Sequence, residues 1–527
     1  MSEGKGTLDE KMFPENNLRV ASQNECEIRV IIGNPPYSAG QGSQNDSNQN
    51  MKYPQLDERI RQTYSINSSA TNKNCIYDSY IRSIRWASDR IKDKGIVCFV
   101  INGSFIDGSA MDGLRKCLEE EFTSIYFLNL RGNQRTSGEI SKREGGKIFG
   151  SGSRASIATL LLIKNPKKKG KCEIFYHNIG DYLSREEKLK MLTDFGSFKS
   201  IKWENIIPNE EHDWINQRDT SFEKFIPIGD KTNKGNLTIF EQYSTGVQTA
   251  RDAWAYNFSH HGLATNIKRM IDVYNSQVKI HKETTDNLIE KDPKKISWSS
   301  SLEKHLERHL EIYFKNELIV CGIYRPYCKQ WIYFDNYLNH RVSQMPKIFP
   351  SKELENRAIY ISGLAGTKEA SAVMVNCVPD LNMQHSIGQC FPLEIYEKIN
   401  SGTLFESNPA NGYTKKRNIR DSILFEFRNV YDSKISKEDI FYYVFGILHS
   451  QEYKQRFANN LNKMLPRIPL AQDFWVFSKA GRGLSQWQLN YETVEPYPLQ
   501  AQSSLLEPDT KEHYRVVKMN SANREVR

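Results

Sequence analysis

An apolar run that ends in two consecutive prolines constrains the fold of this chain more than any other feature of its sequence. Residues 30–32 (Val-Ile-Ile) are β-branched and favour a strand, and Gly33-Asn34-Pro35-Pro36-Tyr37 follows at once. A proline keeps the residue before it out of the helical region and has no backbone N–H to donate. The strand is therefore predicted to stop at Asn34, where the chain leaves the sheet in an extended turn.

This turn offers hydrogen-bond acceptors that suit a planar amino group. The Asn34 amide and the Pro35 carbonyl are predicted to face outward, because the prolines keep both residues extended. An exocyclic amine such as N6 of adenine has two N–H donors, and two acceptors draw its nitrogen toward a tetrahedral geometry whose lone pair attacks a methyl sulfonium. The Tyr37 ring offers a flat face for a base flipped out of a duplex. Asn34, Pro35, Pro36 and Tyr37 are thus the candidate catalytic residues, and a plain Pro-rich turn capped by Asn34 is the alternative.

The composition is typical of a multidomain protein without a membrane span or a metal site. The 527 residues correspond to roughly three or four domains by length, and the formal net charge of +9 suits a polyanionic partner such as DNA. Nine cysteines without a Cys-x-x-Cys spacing argue against zinc, and His305 and His309 lack the Glu-first zincin order. We find no leader segment and no apolar run of about 18 residues, which predicts a cytoplasmic protein.

Residues 1–170 alternate between predicted strands and helices. Apolar residues recur at helical spacing in 76–87 and 111–122, and buried-strand patterns cover 95–103, 123–130 and 156–164. This alternation is typical of a doubly wound α/β sheet, in which ligands lie beyond the carboxyl ends of the strands. The polar segment 38–51 is either a cover beside such a pocket or a solvated loop.

The glycine-rich turn that normally cradles a nucleotide-like cofactor is missing from this pattern. Only 33 residues precede Asn34, too few for the βα units that carry such a turn, and Gly145-Gly146 does not open a helix. The cofactor-binding residues therefore stay unknown. A sheet without its first strands also leaves the strand at 29–32 as an apolar edge, with which another chain is expected to pair.

Beyond residue 170 the regular alternation is lost. Basic and aromatic residues interleave in 321–334 and again near 339–341, as expected where phosphate contacts and base stacking meet. Arg325, Lys329 and Arg341 are accordingly candidate DNA-binding residues, and aromatic core strands are the alternative interpretation. Residues 437–457 carry apolar side chains at helical spacing, which predicts an amphipathic helix.

Five segments resemble the adenine-N6 DNA methyltransferases of the gamma arrangement, and most closely the single-chain type ISP restriction-modification enzymes. The resemblance covers nearly the whole chain. It is carried by residues 33–38 (Gly-Asn-Pro-Pro-Tyr-Ser), 77–87 (Tyr-Asp-Ser-Tyr-Ile-Arg-Ser-Ile-Arg-Trp-Ala), 129–133 (Asn-Leu-Arg-Gly-Asn), 146–150 (Gly-Lys-Ile-Phe-Gly) and 324–327 (Tyr-Arg-Pro-Tyr).

The resemblance implies a fold and a set of site residues. The expected fold is a partial Rossmann-like (class I) methyltransferase sheet lacking its first strands in residues 1–170, followed by a mixed α+β target-recognition domain of one or two subdomains in residues 171–527. Asn34-Pro35-Pro36-Tyr37 would bind the flipped adenine. Phe149 would grip the other face of the base and form a sandwich with Tyr37, although a core residue at a strand edge has the same pattern.

The resemblance also implies a cofactor and partners. The methyl donor is S-adenosylmethionine and the substrate is double-stranded DNA. Type ISP enzymes carry a nuclease, a helicase-like motor and the methyl-donor motif ahead of this region, so a truncated or split enzyme that needs an upstream chain is expected. Two alternatives stay open: a DNA-recognition remnant without catalysis, and a methyltransferase that acts on RNA or protein.

Overall fold

A computed structural model describes residues 14–37, 53–70, 72–136, 138–149, 154–231, 235, 237–283, 289–364, 369–399, 412–495, 519–520 and 525–526. The polar segment predicted at 38–51 lies outside these residues, as do Ser38 and Gly150 of the motifs. The α-helices are α1 Pro14–Glu25, α2 Pro54–Ile60, α3 Ser79–Arg90, α4 Asp112–Glu121, α5 Gly138–Glu144, α6 Arg185–Phe195, α7 Asp252–Ala255, α8 His260–Glu283, α9 Ser300–Glu307, α10 Met345–Ile348, α11 Asp421–Val430, α12 Lys437–His449, α13 Gln451–Arg456, α14 Ala458–Lys463 and α15 Phe474–Leu489.

The strands are two to eight residues long, and the three longest, β2, β3 and β4, belong to the first sheet. They are β1 Val30–Gly33, β2 Gly95–Asn102, β3 Ser124–Arg131, β4 Ile157–Lys164, β5 Glu173–Asn178, β6 Glu204–Ile206, β7 Ile226–Pro227, β8 Ser244–Thr245, β9 Tyr256–Asn257, β10 Ile319–Arg325, β11 Cys328–Tyr333, β12 Ala358–Ile361, β13 Ala372–Val375, β14 Val378–Pro379, β15 Gln389–Pro392, β16 Glu394–Lys398, β17 Tyr413–Arg417, β18 Arg467–Ile468, β19 Met519–Asn520 and β20 Glu525–Val526. Short 3-10 turns and one π-helical turn, Arg61–Ser65, complete the described structure.

A six-stranded mixed sheet forms the amino-terminal part of the protein, with the strand order β1-β2-β4-β3-β5-β6. The four strands predicted on either side of the Asn-Pro-Pro-Tyr turn are present as β1 to β4. The sheet differs from the doubly wound pattern indicated by the sequence, because β4 runs antiparallel to both β2 and β3. The pairs β1 with β2 and β3 with β5 are parallel.

The boundary predicted at residue 170 falls inside this sheet. Two further strands follow it: β5 pairs with β3, and β6 pairs with β5. The basic turn at 165–170 connects two strands of one sheet instead of two domains. A charged turn with Pro and Gly has the same composition in either place, so the sequence did not distinguish the two.

The strand β1 lies at the edge of the sheet within the described residues. It pairs with β2 alone, and its outward side chains stay open to solvent, with Val30 55% and Ile32 77% exposed. Val30 lies opposite Ile96 of β2, which is also exposed. The apolar edge predicted from the sequence is therefore present, and an uncovered apolar patch extends over β1 and β2.

The carboxyl-terminal part is built from small sheets packed on helices, with its largest core around α12. Residues 440–448 of α12 are all buried. The prediction of one amphipathic helix over 437–457 is therefore wrong in two respects. It is divided at Ser450, whose extended backbone ends α12 and caps α13. The first part is buried on every side, because α15 and a strand of a small sheet pack on faces that the pattern left open.

A buried ionic junction joins the two parts of the molecule. The Lys463 amine of α14 lies 2.8 Å from an Asp107 oxygen and 3.1 Å from an Asp213 oxygen. Asp213 is almost fully buried and also contacts Arg115 of α4 at 3.4 Å and Arg218 at 2.7 Å. Three cations around one buried carboxylate hold the carboxyl-terminal helices against the sheet.

Two further findings concern covalent and membrane features. All nine cysteines are free thiols. None of the described helices combines the length and the apolar character needed to cross a membrane.

Candidate active site

Three of the sequence motifs meet where β1, β2 and β3 end, a part of the mixed sheet that we call the sheet edge. The Asn-Pro-Pro-Tyr turn leaves the carboxyl end of β1, next to the end of the parallel strand β2. The antiparallel strand β4 begins beside it, where Ile157 pairs with Asn102 of β2 and with Arg131 of β3. The turn after β3 and the loop that carries Phe149 therefore lie at the same edge as Asn34.

The Tyr37 hydroxyl determines how the Asn34 side chain is oriented. Tyr37 Oη donates to Asn34 Oδ1 at 2.9 Å and lies 3.2 Å from the carbonyl oxygen of Val100 on β2. Burial raises the pKa of Tyr37 to about 12, so the hydroxyl keeps its proton and remains a donor. Asn34 itself is exposed, and its side-chain oxygen has a second lone pair for a ligand.

Tyr80 of α3 supports the ring of Tyr37. The two ring centroids lie 6.4 Å apart with an interplanar angle of 81°, an edge-to-face contact. Tyr80 is almost fully buried, and its hydroxyl lies 2.9 Å from Ser104 Oγ, just beyond the end of β2. Sequence reasoning quoted Tyr80 within a motif but gave it no role. Its burial beside Tyr37 depends on how α3 packs on the sheet.

Phe149 lies close to this turn and stays accessible. The preceding residue, Ile148, is buried in a cluster with Leu128 and Ile157, and Tyr37 packs against the same cluster. Phe149 is 37% exposed. The loop thus brings an accessible aromatic ring to the sheet edge where Tyr37 is found.

Lys188 of α6 fixes the loop that carries Phe149. The side chain is fully buried, and its amine donates at 2.8 Å to the carbonyl oxygens of both Glu144 and Gly146. Burial lowers the pKa of Lys188 from its usual 10.5 to about 8. Arg185, one turn earlier, donates to the Ile148 carbonyl at 3.0 Å. Two cationic side chains of one helix thus bind the carbonyl groups of three alternate residues in the loop.

A glycine is required where this loop meets the chain ahead of α6. Gly145 has a φ of +69°, and a Cβ built on it would lie 2.1 Å from the Leu183 carbonyl oxygen. Only glycine adopts this backbone conformation and permits that approach. The glycine pair that the sequence analysis had discounted as a cofactor turn therefore serves to seat the Phe149 loop. Lys188 itself carried no recognisable signal, since a lysine in a helical pattern is normally solvated.

The described residues do not provide a cradle for a methyl donor. A nucleotide-like donor usually lies on a glycine-rich turn between a strand and the amino end of a helix. Here β1 runs into prolines, and β2 runs into the single-glycine turn Gly103–Phe105. This edge fits an acceptor group better than a donor.

The three candidate DNA-binding residues lie in different environments. Arg325 ends β10 and pairs with the buried Asp380 at 2.9 Å while covering the Tyr324 ring. Lys329 of β11 pairs with Glu492 at 2.7 Å. Arg341 is exposed, and its contacts with the described residues are two backbone hydrogen bonds with Gln248. Of the three side chains, that of Arg341 is the most available to a ligand.

Comparison with known protein families gives two matches. The family described as the Type ISP C-terminal specificity domain matches residues 238–526, and the Eco57I restriction-modification methylase family matches residues 2–134. No curated protein sequence matches the chain. The chain thus combines a methylase region with a specificity region.

Three solved structures resemble nearly the whole chain, and two of them are of restriction-modification enzymes. A nuclease-deletion mutant of the Type ISP enzyme LlaGI, in complex with a DNA substrate mimic, is 40% identical over 94% of this chain and 38% of its own, with a TM-score of 0.80. The ATP-dependent Type ISP enzyme LlaBIII bound to DNA is 36% identical over 94% and 32%, with a TM-score of 0.82. A DrdV–DNA complex is 33% identical over 97% and 50%, with a TM-score of 0.81. The chain therefore spans between a third and a half of the length of these relatives.

Proposed function

The chain belongs to the type ISP restriction-modification enzymes, and we propose on that premise that it is a site-specific adenine-N6 DNA methyltransferase. The relatives LlaGI, LlaBIII and DrdV were each solved with DNA or a DNA mimic, which supports double-stranded DNA as the substrate here. We assign catalysis to the mixed sheet, as a partial Rossmann-like methyltransferase sheet that reaches at least to Ile206. Target recognition is assigned to the carboxyl-terminal part.

In this proposal the Asn-Pro-Pro-Tyr turn holds the amine that accepts the methyl group. The N6 hydrogens of a flipped adenine donate to Asn34 Oδ1 and to the Pro35 carbonyl oxygen. The bond from the Tyr37 hydroxyl holds the Asn34 oxygen in place before the base arrives, so little reorganisation is needed at the reaction step. The nitrogen then becomes more nearly tetrahedral, and its lone pair points away from both acceptors.

Two aromatic rings are assigned to the faces of the base. Tyr37, braced by Tyr80, lies on one side, and Phe149, on its clamped loop, lies on the other. Stacking on aromatic side chains contributes about 1–3 kcal/mol per base, which offsets the cost of unstacking adenine from the duplex. The clamp on the loop fixes the position of Phe149 before the base enters.

S-adenosylmethionine is the methyl donor that the methylase family implies in general. It supplies a sulfonium-activated methyl group and requires no nucleophilic side chain. The described residues do not fit the donor itself. The role proposed for this chain is therefore confined to holding and orienting the acceptor.

The carboxyl-terminal part is proposed to read the target sequence. Arg341 is assigned to a DNA phosphate, because its side chain is exposed. Arg325 and Lys329 already pair with carboxylates, so their contribution to DNA binding would require exchange of those partners. Phosphate contacts of this kind set the register of the protein on the duplex, while other side chains read base edges.

The hydrogen bond between Tyr37 and Asn34 at the end of β1 is the observation that carries this proposal. The test is transfer of a labelled methyl group from S-adenosylmethionine to unmethylated DNA, with analysis of the modified base. We expect N6-methyladenine when the unaltered chain is supplied with the donor-binding part of the enzyme, in cis or as a separate chain. Under the same conditions we expect loss of transfer in Asn34→Ala and full transfer in Asn336→Ala, a matched exposed asparagine. Transfer that survives Asn34→Ala contradicts the proposal. DNA binding without any transfer favours the recognition-only alternative.

A further inference from the structure

A second concave site lies within the carboxyl-terminal part, away from the sheet edge. It is a cavity of about 550 Å³ enclosed by β10, β14, the β16–β17 pair and the helices α12 and α15. Small-molecule sites commonly have volumes of about 300–1,000 Å³. The cavity is lined by residues between 320 and 490, none of which is assigned to the proposed methyl transfer.

The charged side chains around this cavity form a network of ion pairs that is rich in guanidinium groups. Its lining includes three carboxylates, those of Glu355, Glu394 and Glu438, and five cations, Lys352, Arg357, Lys415, Arg417 and Arg482. Glu438 alone is shared by three guanidinium groups, at 3.1 Å from Arg482, 3.6 Å from Arg417 and 3.9 Å from Arg357. Arg417 also lies 3.2 Å from Glu394, and Arg482 lies 3.1 Å from Asp439, so the three guanidinium groups share three carboxylates.

The same guanidinium groups retain unused hydrogen-bond donors. Each has five N–H groups. Among the described residues, Arg357 donates to the Tyr442 hydroxyl, and Arg482 donates to Glu438 and Asp439 at 3.1 Å each. The side chains of Arg357, Arg417 and Arg482 are 47%, 39% and 40% exposed, so their remaining donors are accessible from the cavity. Forked donors of this kind match the oxygens of a phosphate group.

The rest of the lining suits an organic group attached to that phosphate. Val320, Leu354 and Leu489 form apolar surface, and the exposed amides of Asn376 and Gln486 offer both donors and acceptors. Amide side chains pair with the edges of nucleobases, and apolar surface accommodates a sugar or a base ring. We propose that this cavity binds a nucleotide, with its phosphate on Arg357, Arg417 and Arg482.

Isothermal titration of the full chain with thymidine 5′-monophosphate tests this assignment. A thymine nucleotide is chosen because the proposed methylation site selects adenine, so failure of one site leaves the other measurement intact. We expect one molecule bound per chain, with thymidine at least about tenfold weaker because it lacks the phosphate that the guanidinium groups contact. Equal binding of the two ligands, or no binding of the nucleotide, overturns the proposal.

Variants identify the cavity as the place of binding. Arg417→Gln and Arg482→Gln are each expected to weaken nucleotide binding about tenfold or more. Lys479→Gln, an exposed cation on the same helix as Arg482, serves as the matched control and should bind as the unaltered chain does. Gln486→Trp fills the rim and leaves every ion pair intact, so loss of binding there cannot be attributed to misfolding of the charged network. Unchanged affinity in both arginine variants and in Gln486→Trp refutes the site.

The nucleotide has two possible sources, a DNA strand or the free pool. If a DNA phosphate occupies the cavity, duplex DNA competes with the mononucleotide, and Arg417→Gln lowers the slope of log affinity for DNA against log salt by about 1. If a free nucleotide occupies it, binding persists with saturating DNA and the slope is unchanged. Either result supports a phosphate site and identifies its ligand.

Discussion

The sheet edge around Asn34 and the helix pair α12–α15 are held together in opposite ways. At the sheet edge, the exposed Asn34 side chain and the loop that carries Phe149 are positioned by a few hydrogen bonds, those from Tyr37 to Asn34 and from the buried Lys188 to two carbonyl groups. At the helix pair, the backbones approach so closely that a Cβ on Gly481 would lie 2.0 Å from the Tyr442 carbonyl oxygen. One region depends on polar contacts that each contribute little to stability, and the other depends on dense apolar packing.

This difference separates the residues that govern activity from those that govern stability. Substitutions at the sheet edge should change methyl transfer with little effect on the fold. Substitutions between the helices should destabilise the protein without touching the proposed chemistry.

Gly481→Ala should have the largest effect on stability. The added methyl group meets a backbone carbonyl, which cannot rotate away, so the helices must separate at a cost of about 3 kcal/mol. Gly483→Ala is the control, because a Cβ there meets nothing within 4 Å. It should stabilise the helix by about 1 kcal/mol, since alanine is the better helix former. Urea denaturation followed by circular dichroism measures the stability of both variants. Equal urea midpoints for the two would contradict the conclusion that the close helix contact limits the size of residue 481.

The stability contributed by Lys188 should depend on pH. Its folded pKa of about 8 lies below the usual 10.5, so between these values the unfolded chain binds more protons than the folded one. The free energy of unfolding therefore rises with pH across this window, by about 2 kcal/mol between pH 8 and 9.5. The measurement is the difference between the unaltered chain and Lys188→Met in urea at the two pH values. A difference that stays constant would mean that the amine titrates normally.

Lys188→Met should slow methyl transfer by about tenfold, because two buried carbonyl groups lose their donor and the Phe149 loop is released. Lys190→Met, on the exposed side of the same helix, should leave the rate unchanged. Rates measured at saturating DNA separate positioning of the ring from weaker binding. A variant as active as the control would show that the loop needs no clamp.

Tyr37→Phe should have the smallest effect of the four. The ring and its contact with Tyr80 remain, and only the hydroxyl that orients Asn34 is lost, at about 1 kcal/mol or roughly a fivefold loss of rate. Unfolding by urea should hardly change, as expected of a residue at the sheet edge. If stability falls and the rate does not, the contrast between the two regions is reversed at this position.

Local patterns predicted the first of these regions better than the second. Strands β1 to β4 and the extended turn at Asn34 follow from β-branched runs and proline sterics, which act over a few residues. The Lys188 clamp, the Arg325–Asp380 pair and the shared Glu438 join segments far apart in the chain, so no spacing reveals them. The burial of α12 on all sides likewise depends on what packs against it, and the extension of the sheet past residue 170 depends on strands that add at its far edge.

The place of β1 at the end of the sheet has an energetic consequence for the turn that it carries. Within the described residues, β1 bonds to one neighbouring strand, whereas β4 bonds to two. A strand docked on one side detaches at a lower cost than global unfolding, so we expect local opening to release Asn34 and Tyr37 while the centre of the sheet stays folded. Only molecules with β1 docked then present a complete acceptor site. The apparent affinity for the flipped base is therefore reduced in proportion to the fraction of molecules in which β1 is undocked.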